Sequence, residues 1–185
     1  MPKTDTHDSI SAASDFRYSF LDAGAGEKVW MSGDEYQILL DAKNSGSAMT
    51  LIDALVPPGG GPPTHAHGDV DELFFVVGGE LEIIVDEVPH RVTAGGRVFV
   101  RRNVPHAFTN RTRAPARMLL FYTPGGVEEF FLAAGRPAID GVAPPPSTEE
   151  SRAREVKVAS EHHIAPATEI VCQGPCPANP EEQLI

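Results

Sequence analysis

The chain is poor in cysteine, carries little positive charge and contains no long uninterrupted apolar run. Its 185 residues include only two cysteines, Cys172 and Cys176, which are too few for a disulfide framework. We interpret both as free thiols. Lys and Arg together number 15 against 26 Asp and Glu, so the formal net charge is −11. This acidic balance argues against nucleic acid or an anionic membrane surface as a partner.

Signals for export or membrane insertion are also missing from the sequence pattern. Residues 1–15 are polar and lack the apolar core of a signal peptide. No later run approaches the roughly 18 apolar residues that a membrane span needs. We therefore expect a cytoplasmic protein without a membrane partner, and a chain of this length fits one domain with a substantial core.

What the sequence does contain is abundant turn chemistry. Gly and Pro each occur 17 times and cluster between short apolar runs rich in Val, Ile and Phe. Those runs predict strands over 35–40, 49–56, 73–77, 81–85, 97–101, 107–110 and 117–122. Short strands at this spacing, without intervening helices, favour an antiparallel sandwich or barrel, so the predicted fold class is all-β.

Two helices are predicted after these strands. The apolar stripe of the first, over 127–135, consists of Val127, Phe130, Phe131 and Ala134. Gly135 is placed to end this helix. The second helix is predicted over 147–163, because 147–150 have the S-x-x-E pattern of a capping box. A short final strand is expected over 168–171, and 174–185 are expected to be disordered.

Three of the seven histidines lie beside the turns of the predicted barrel. His65 and His67 stand at i and i+2 of an extended segment and therefore project to the same face. Glu72 follows on the returning strand, and His106 comes after a second turn at 103–105. Three imidazoles and one carboxylate suit Fe, Mn, Co, Ni, Cu or Zn better than Mg or Ca. The sequence thus predicts one divalent transition metal at His65, His67, Glu72 and His106.

These residues also fill a known motif. The form G-x5-H-x-H-x(3,4)-E-x6-G is matched by Gly59, His65, His67, Glu72 and Gly79. By this match the chain resembles the cupin superfamily.

The second motif of that family, G-x5-P-x-G-x2-H-x3-N, is matched less completely. Gly95, His106 and Asn110 are in place, but Arg101 stands where proline is usual and Asn103 where glycine is usual. Asn tolerates left-handed backbone geometry, so we expect Asn103 to make the turn that aims His106. Asn110 is expected to hydrogen-bond backbone near the site.

A narrower resemblance is to bacterial quercetin 2,3-dioxygenase-like single-domain cupins, carried by 60–65, 71–75, 122–126 and 146–150. It implies a single-domain jelly-roll β-barrel with one or two peripheral C-terminal helices, a metal in the open mouth, and a homodimer. The domain boundaries expected from it are an N-terminal arm over 1–29, the barrel over 30–124, peripheral helices and a returning strand over 125–173, and a tail over 174–185.

The activity that this resemblance implies is oxygenation of a flavonol or another enolisable aromatic substrate with O2. Glu72 is the expected catalytic residue, because a carboxylate beside the metal can take the substrate's hydroxyl proton. Fold alone does not decide function. A non-redox cyclase or isomerase that uses the metal as a Lewis acid, and a binding protein for an apolar small molecule, remain open alternatives.

The substrate would lie in an apolar barrel. Phe74 and Val76 share the strand parity of Glu72, and Phe108 shares that of His106, so all three are expected to face inward. Phe130 and Phe131 could cover the mouth of the barrel. Ordinary core packing is the competing interpretation for all five residues.

Two further groups of residues allow more than one interpretation. His162 and His163 could form a zinc site with the two cysteines, although their spacing matches no standard ligand pattern. Histidines at a helix end, favoured by the helix dipole, explain the pair more simply. Arg101 and Arg102 fit a solvated turn, or a rim that meets an anionic group of the substrate.

Overall fold

The computed structural model describes residues 17–166, which form two antiparallel sheets and three helices. The strands are β1 (Lys28–Met31), β2 (Asp34–Leu40), β3 (Thr50–Val56), β4 (His65–His67), β5 (Asp71–Gly78), β6 (Glu80–Val85), β7 (Val88–Thr93), β8 (Arg97–Val100), β9 (His106–Thr109), β10 (Ala116–Thr123), β11 (Arg136–Pro137) and β12 (Ile164–Pro166). The helices are α1 (Ala42–Ser45), α2 (Glu128–Ala134) and α3 (Glu149–Glu161).

The strands are ordered as in a jelly roll. The seven-stranded sheet has the order β11-β1-β2-β3-β10-β5-β8, and the five-stranded sheet has the order β12-β4-β9-β6-β7. The strand pairings within residues 17–166 are antiparallel. The all-β jelly-roll fold predicted from the sequence is therefore confirmed.

The core lies between the two sheets. Along β5 and β10 the inward residues are buried and the outward residues are partly exposed, as the period of two along a strand requires. One buried apolar cluster includes Met118 and Leu120 of β10 together with Leu81 and Ile83 of β6. The same cluster includes residues of α2, so the first predicted helix packs on the core.

Two hairpins close with two-residue turns. Ser32 and Gly33 join β1 to β2 with φ of 55° and 87°, and Asp86 and Glu87 join β6 to β7 with φ of 50° and 68°. Positive φ at both positions is the mark of a type I′ turn, whose twist matches that of the flanking strands. The first of these turns brings Ser32 to the wall of the cavity described below.

The seven predicted strands are confirmed to within two residues at each end. The sequence did not predict four further strands, β1, β7, β11 and β12, or the short helix α1. β7 is exposed along most of its length and contains a proline, and β11 has only two residues, so neither shows an apolar pattern. β4 was treated as extended only because of its histidine pair.

Both predicted helices are present. α2 ends before Gly135 as expected, but Gly135 has φ of −71° and is not left-handed. A Cβ there would lie 2.6 Å from the Phe131 carbonyl oxygen and 2.8 Å from Val29, so glycine lets the helix end approach β1.

The second helix begins one residue later than its sequence signal indicated. The capping box joins Thr148 to Ser151, where Ser147 and Glu150 were expected. The chain then returns as β12, which pairs with β4. The final strand predicted over 168–171 lies outside the described residues, as does the tail over 174–185. No helix among residues 17–166 is long and apolar enough to span a membrane.

Candidate metal centre

Three strands bring the predicted ligands together. β4 carries His65 and His67, and its pairing with β9 places His65 opposite His106. Glu72 lies on β5 in the facing sheet, where strand parity turns it inward. The result is a group in which each residue offers one ligand atom and all four atoms lie within 4.8 Å of one another.

The distances inside this group suit a shared cation. Glu72 Oε2 lies 2.9 Å from His106 Nε2 and 3.3 Å from His67 Nε2. Two ligand atoms that are both about 2.1 Å from a metal are about 3.0 Å apart at a right angle and about 3.4 Å apart at the tetrahedral angle. These three buried atoms form no hydrogen bond within residues 17–166. A metal among them would satisfy all three, so the residues present fit the predicted ion.

Backbone carbonyls orient two of the imidazoles. His65 Nδ1 lies 3.0 Å from the Pro63 oxygen and His106 Nδ1 lies 2.8 Å from the Val104 oxygen. Because a carbonyl can only accept, each Nδ1 carries the hydrogen, and Nε2 keeps its lone pair for a metal. This arrangement of an outer hydrogen bond that fixes the tautomer is typical of ligating histidines.

The electrostatics of the group favour a cation. Burial and then the neighbouring His106 and His67 lower the pKa of His65 to about 3, so this imidazole is neutral at pH 7. Burial alone would raise the pKa of Glu72, but the facing His106 and His67 hold it well below its ordinary value. A neutral imidazole and an ionised carboxylate are the forms that bind metals.

The turn before His106 works despite its unusual residues. Asn103 adopts φ of 65°, as expected, and its N–H donates to the His67 carbonyl oxygen at 2.7 Å. The turn that aims His106 is therefore also bonded to the strand that carries the histidine pair.

Close packing and hydrogen bonds also fix the glycine-rich loop that precedes β4. A Cβ on Gly61 would lie 2.0 Å from the Phe108 carbonyl oxygen, so this position accepts glycine alone. Asn110 donates from Nδ2 to the carbonyl oxygens of Val56 and Ala114, both at 2.8 Å. The backbone carbonyl oxygen of Asn110 accepts a hydrogen bond from the Gly59 N–H, and the Asn110 N–H donates to the Gly60 carbonyl oxygen. Asn110 thus fixes the loop that leads to His65, in agreement with the backbone role expected for it.

A cavity of about 430 Å³ opens onto the ligand group, within the usual size range of small-molecule sites. His65, His67 and Glu72 form one end of it, and its wall is mostly apolar. Of the predicted lining residues, Phe108, Phe130 and Phe131 lie on this wall.

Phe74 and Val76 do not line the cavity. They face inward as strand parity predicted, but both are buried in the core, with the Phe74 ring packed edge-on against His106 and Phe108. Parity gives the direction of a side chain and not its depth below the cavity floor.

Four polar residues near the cavity were missed by sequence reasoning. Tyr122 pairs with Glu72 across β10 and β5, and burial followed by the Glu72 charge raises its pKa well above the ordinary value. Tyr36 lines the cavity and donates its hydroxyl to Asp34 Oδ2 at 3.1 Å. Glu155 of α3 also lines the cavity. No local motif marks these residues, and only the register of distant strands and the docking of α3 bring them to the cavity.

Asp34 leads to a prediction about stability and pH. The residue is 0 % exposed, and burial raises the pKa of its carboxyl to about 8. The folded protein then holds a proton that the unfolded chain releases near pH 4, so this carboxyl's contribution to stability falls as pH rises from about 4 to about 8. Between pH 6 and pH 8 the wild type is expected to lose roughly 2 kcal/mol of unfolding free energy relative to Asp34→Asn.

Urea unfolding of both proteins at pH 6 and pH 8 checks this prediction. Every other titrating group is common to the two proteins and cancels in the difference. Parallel pH profiles would show that Asp34 titrates normally.

The remaining predicted groups lie away from the cavity wall. Arg102 donates to Asp71 from its backbone N–H at 2.8 Å and from Nε at 3.1 Å, while Arg101 is exposed. His163 pairs with Asp69, and His162 caps the end of α3. Cys172 and Cys176 lie outside the described residues.

A model described as "Cupin domain" matches residues 53–122. Protein SchB of Streptomyces halstedii is 28% identical over 93 residues, which cover 50% of this chain and 67% of SchB.

Three solved structures have related folds. KdgF from a Halomonas species is 14% identical, with a TM-score of 0.52, and the match covers 60% of this chain and 96% of KdgF. An RmlC-like cupin from Shewanella frigidimarina is 22% identical, with a TM-score of 0.51, and the match covers 60% of this chain and 94% of that one. A sugar phosphate isomerase of the cupin superfamily from Silicibacter pomeroyi is 25% identical, with a TM-score of 0.50, and the match covers 57% of this chain and 75% of that one. At these identities the first two show the fold alone.

Proposed function

Because a model of the cupin domain matches residues 53–122, we propose that the chain is a metal-dependent enzyme that oxygenates a flavonol or another enolisable aromatic substrate. The observation that carries this proposal is the group of three histidines and one glutamate at the end of a mostly apolar cavity. The narrower resemblance of the chain to quercetin 2,3-dioxygenase-like cupins adds the type of reaction as a hypothesis.

The ligand group leaves room for substrate on one side. His65, His67, Glu72 and His106 would hold a divalent transition metal, which when bound would supply Lewis acidity and, if redox-active, electron transfer between an enolate and O2. His106 is buried behind the group, whereas His65 is only partly buried and lines the cavity. Substrate therefore enters from the cavity side.

Glu72 is positioned to take a proton from the substrate. Its Oε2 faces the two imidazoles, and in this proposal the carboxylate accepts the proton of a substrate hydroxyl group in the cavity that it lines. Tyr122 keeps its own proton because its pKa is raised, so it can donate a hydrogen bond beside the newly formed anion. The chain's own role is thus to ionise the substrate and hold the ion in place.

The apolar wall suits a flat ring system. Phe108 and Leu120 lie on this wall, and Phe131 packs against Tyr36 and Tyr122 with ring centroids 4.9 and 6.2 Å apart. Such a wall excludes water from the substrate and strengthens the electrostatic contacts of the site.

Flavonol absorbance tests the proposed activity. The protein, loaded in turn with Fe, Mn, Co, Ni or Cu, is mixed with a flavonol in air and under argon. Loss of the flavonol absorbance in air alone is the expected result. No turnover with any of the five metals would exclude the flavonol assignment.

A non-redox cyclase or isomerase is the second candidate. Two buried phenols, Tyr36 and Tyr122, lie near Glu72 and could supply or relay protons without any oxidant. The similarity to a sugar phosphate isomerase points to the same class of chemistry, but the apolar wall does not suit a sugar phosphate. Product formation at equal rates with and without O2 would identify this class. A plain binding protein, the third alternative, would not need all four ligands.

A further inference from the structure

A second polar part of the cavity wall comes from helix α3. One face of this helix, at the spacing i, i+3, i+4 and i+7, lines the cavity with Arg152, Glu155, Val156 and Ala159. Glu155 is the one residue of α3 that is buried, with 8% of its surface exposed. A carboxylate therefore lies where an apolar residue would be expected to pack against the barrel.

The contacts of this carboxylate leave part of it free to bind. Ser32 donates its backbone N–H to Glu155 Oε1 at 3.2 Å and its hydroxyl to Oε2 at 2.8 Å. A carboxylate offers about four acceptor positions, and these two bonds use one on each oxygen. The β1–β2 turn holds Ser32 in place, so the carboxylate has a fixed direction before any ligand arrives.

We propose that Glu155 accepts a hydrogen bond from a hydroxyl group on the aromatic substrate, one that is separate from the oxygen atoms that meet the metal. This inference rests on the proposed function, because the metal-binding end fixes which way the substrate lies. It names the substrate class more narrowly, as an enolisable aromatic with a free hydroxyl on its distal ring.

Neighbouring charges favour a hydroxyl over other groups. An anionic substituent would be repelled by the carboxylate of Glu155. Arg152 lines the same wall one turn earlier on α3 and disfavours a cationic substituent. A neutral donor remains, and the apolar residues Met31, Leu120 and Phe130 on the wall suit the rings of the substrate.

A structural role for Glu155 has to be separated from a binding role, since the residue also ties α3 to the β1–β2 turn. Glu155→Leu removes both the tie and the acceptor. Ser32→Ala removes the stronger contact of the tie and leaves the carboxylate in place. A change in ligand preference that is seen in Glu155→Leu and not in Ser32→Ala therefore reports on the carboxylate itself.

The test is ligand binding to the zinc-loaded protein, measured by calorimetry under argon. The ligands are 3-hydroxyflavone and its three derivatives with one added hydroxyl on the distal phenyl ring, all of which keep the same metal-binding oxygens. Wild type and Ser32→Ala are expected to prefer one derivative by about 10- to 100-fold, the range for a hydrogen bond to a charged group. Glu155→Leu is expected to bind all four ligands alike.

Each other outcome has a definite meaning. If wild type binds the four ligands equally, the inference is wrong and the proposed function stands. If it binds none, the proposed function is wrong and the inference falls with it. A preference that survives in Glu155→Leu, or that is lost in both variants, assigns Glu155 a structural role only. If Glu155→Leu does not fold, Glu155→Met replaces it, because its side chain also lacks the carboxylate, and an unchanged preference there overturns the inference.

Discussion

Glu72→Gln is expected to lower kcat by about 10² to 10⁴-fold while the protein still binds metal. The amide keeps an oxygen that can contact the ion, but it cannot accept the substrate's proton. The surrounding geometry is expected to persist, because Gln has the shape of Glu and still faces His106 and His67. The measurement is the initial rate of substrate loss at saturating substrate, together with metal content.

The matched control for this variant is Glu80→Gln. Glu80 pairs with Arg91 at the surface of β6, and surface ion pairs contribute little to stability. This control should turn over substrate as the wild type does. A Glu72→Gln protein that is fully active with its metal bound would show that Glu72 is a ligand alone and that another group takes the proton.

His106→Ala is expected to remove most of the bound metal, with affinity weakened by roughly a hundredfold or more. His106 is 1% exposed and its Nε2 meets Glu72 Oε2, so its loss opens the ligand group and leaves the Glu72 carboxylate buried without this partner. Loss of a hydrogen bond in the outer shell alone typically costs about 10- to 100-fold in metal affinity, so loss of a ligand should cost at least as much.

Metal content after dialysis, measured by mass spectrometry, checks this expectation. His90→Ala is the matched control, because His90 lies exposed on β7 and outside the ligand group. Circular dichroism of both variants shows whether each is folded. Equal metal content in His106→Ala and wild type would remove His106 from the ligand set.

The ligand group could be predicted from the sequence because two local signals agree. Strand parity turns His65 and His67 to one face, and the spacing to Glu72 allows one turn and a returning strand. His106 needed a third segment, and there the left-handed backbone of Asn103 supplies the turn that glycine usually makes. Each of these features is readable within a few residues of the ligand it concerns.

The polar residues around the ligands could not be predicted in the same way. Tyr122 meets Glu72 only because β10 pairs with β5, and Glu155 reaches Ser32 across more than a hundred residues of sequence. Such contacts follow from the register of whole sheets and the docking of α3. The weak apolar face of α3 gave no indication of what the helix covers.

The outer face of the seven-stranded sheet was also not anticipated. Phe121 pairs with Leu73 in this sheet and Leu73 pairs with Phe99, so three apolar residues adjoin on its outward side. Antiparallel sheets that face water usually carry polar residues there. The homodimer implied by the family resemblance stays a prediction, and this face is where we expect such a contact.

The metal centre itself is tested most directly by anomalous X-ray diffraction from crystals of the metal-loaded wild type. The structure predicts one strong peak in the cavity, about 2.0 to 2.3 Å from His65 Nε2, His67 Nε2, Glu72 Oε2 and His106 Nε2. A map without a peak among these four atoms, or with its main peak elsewhere, would contradict the account.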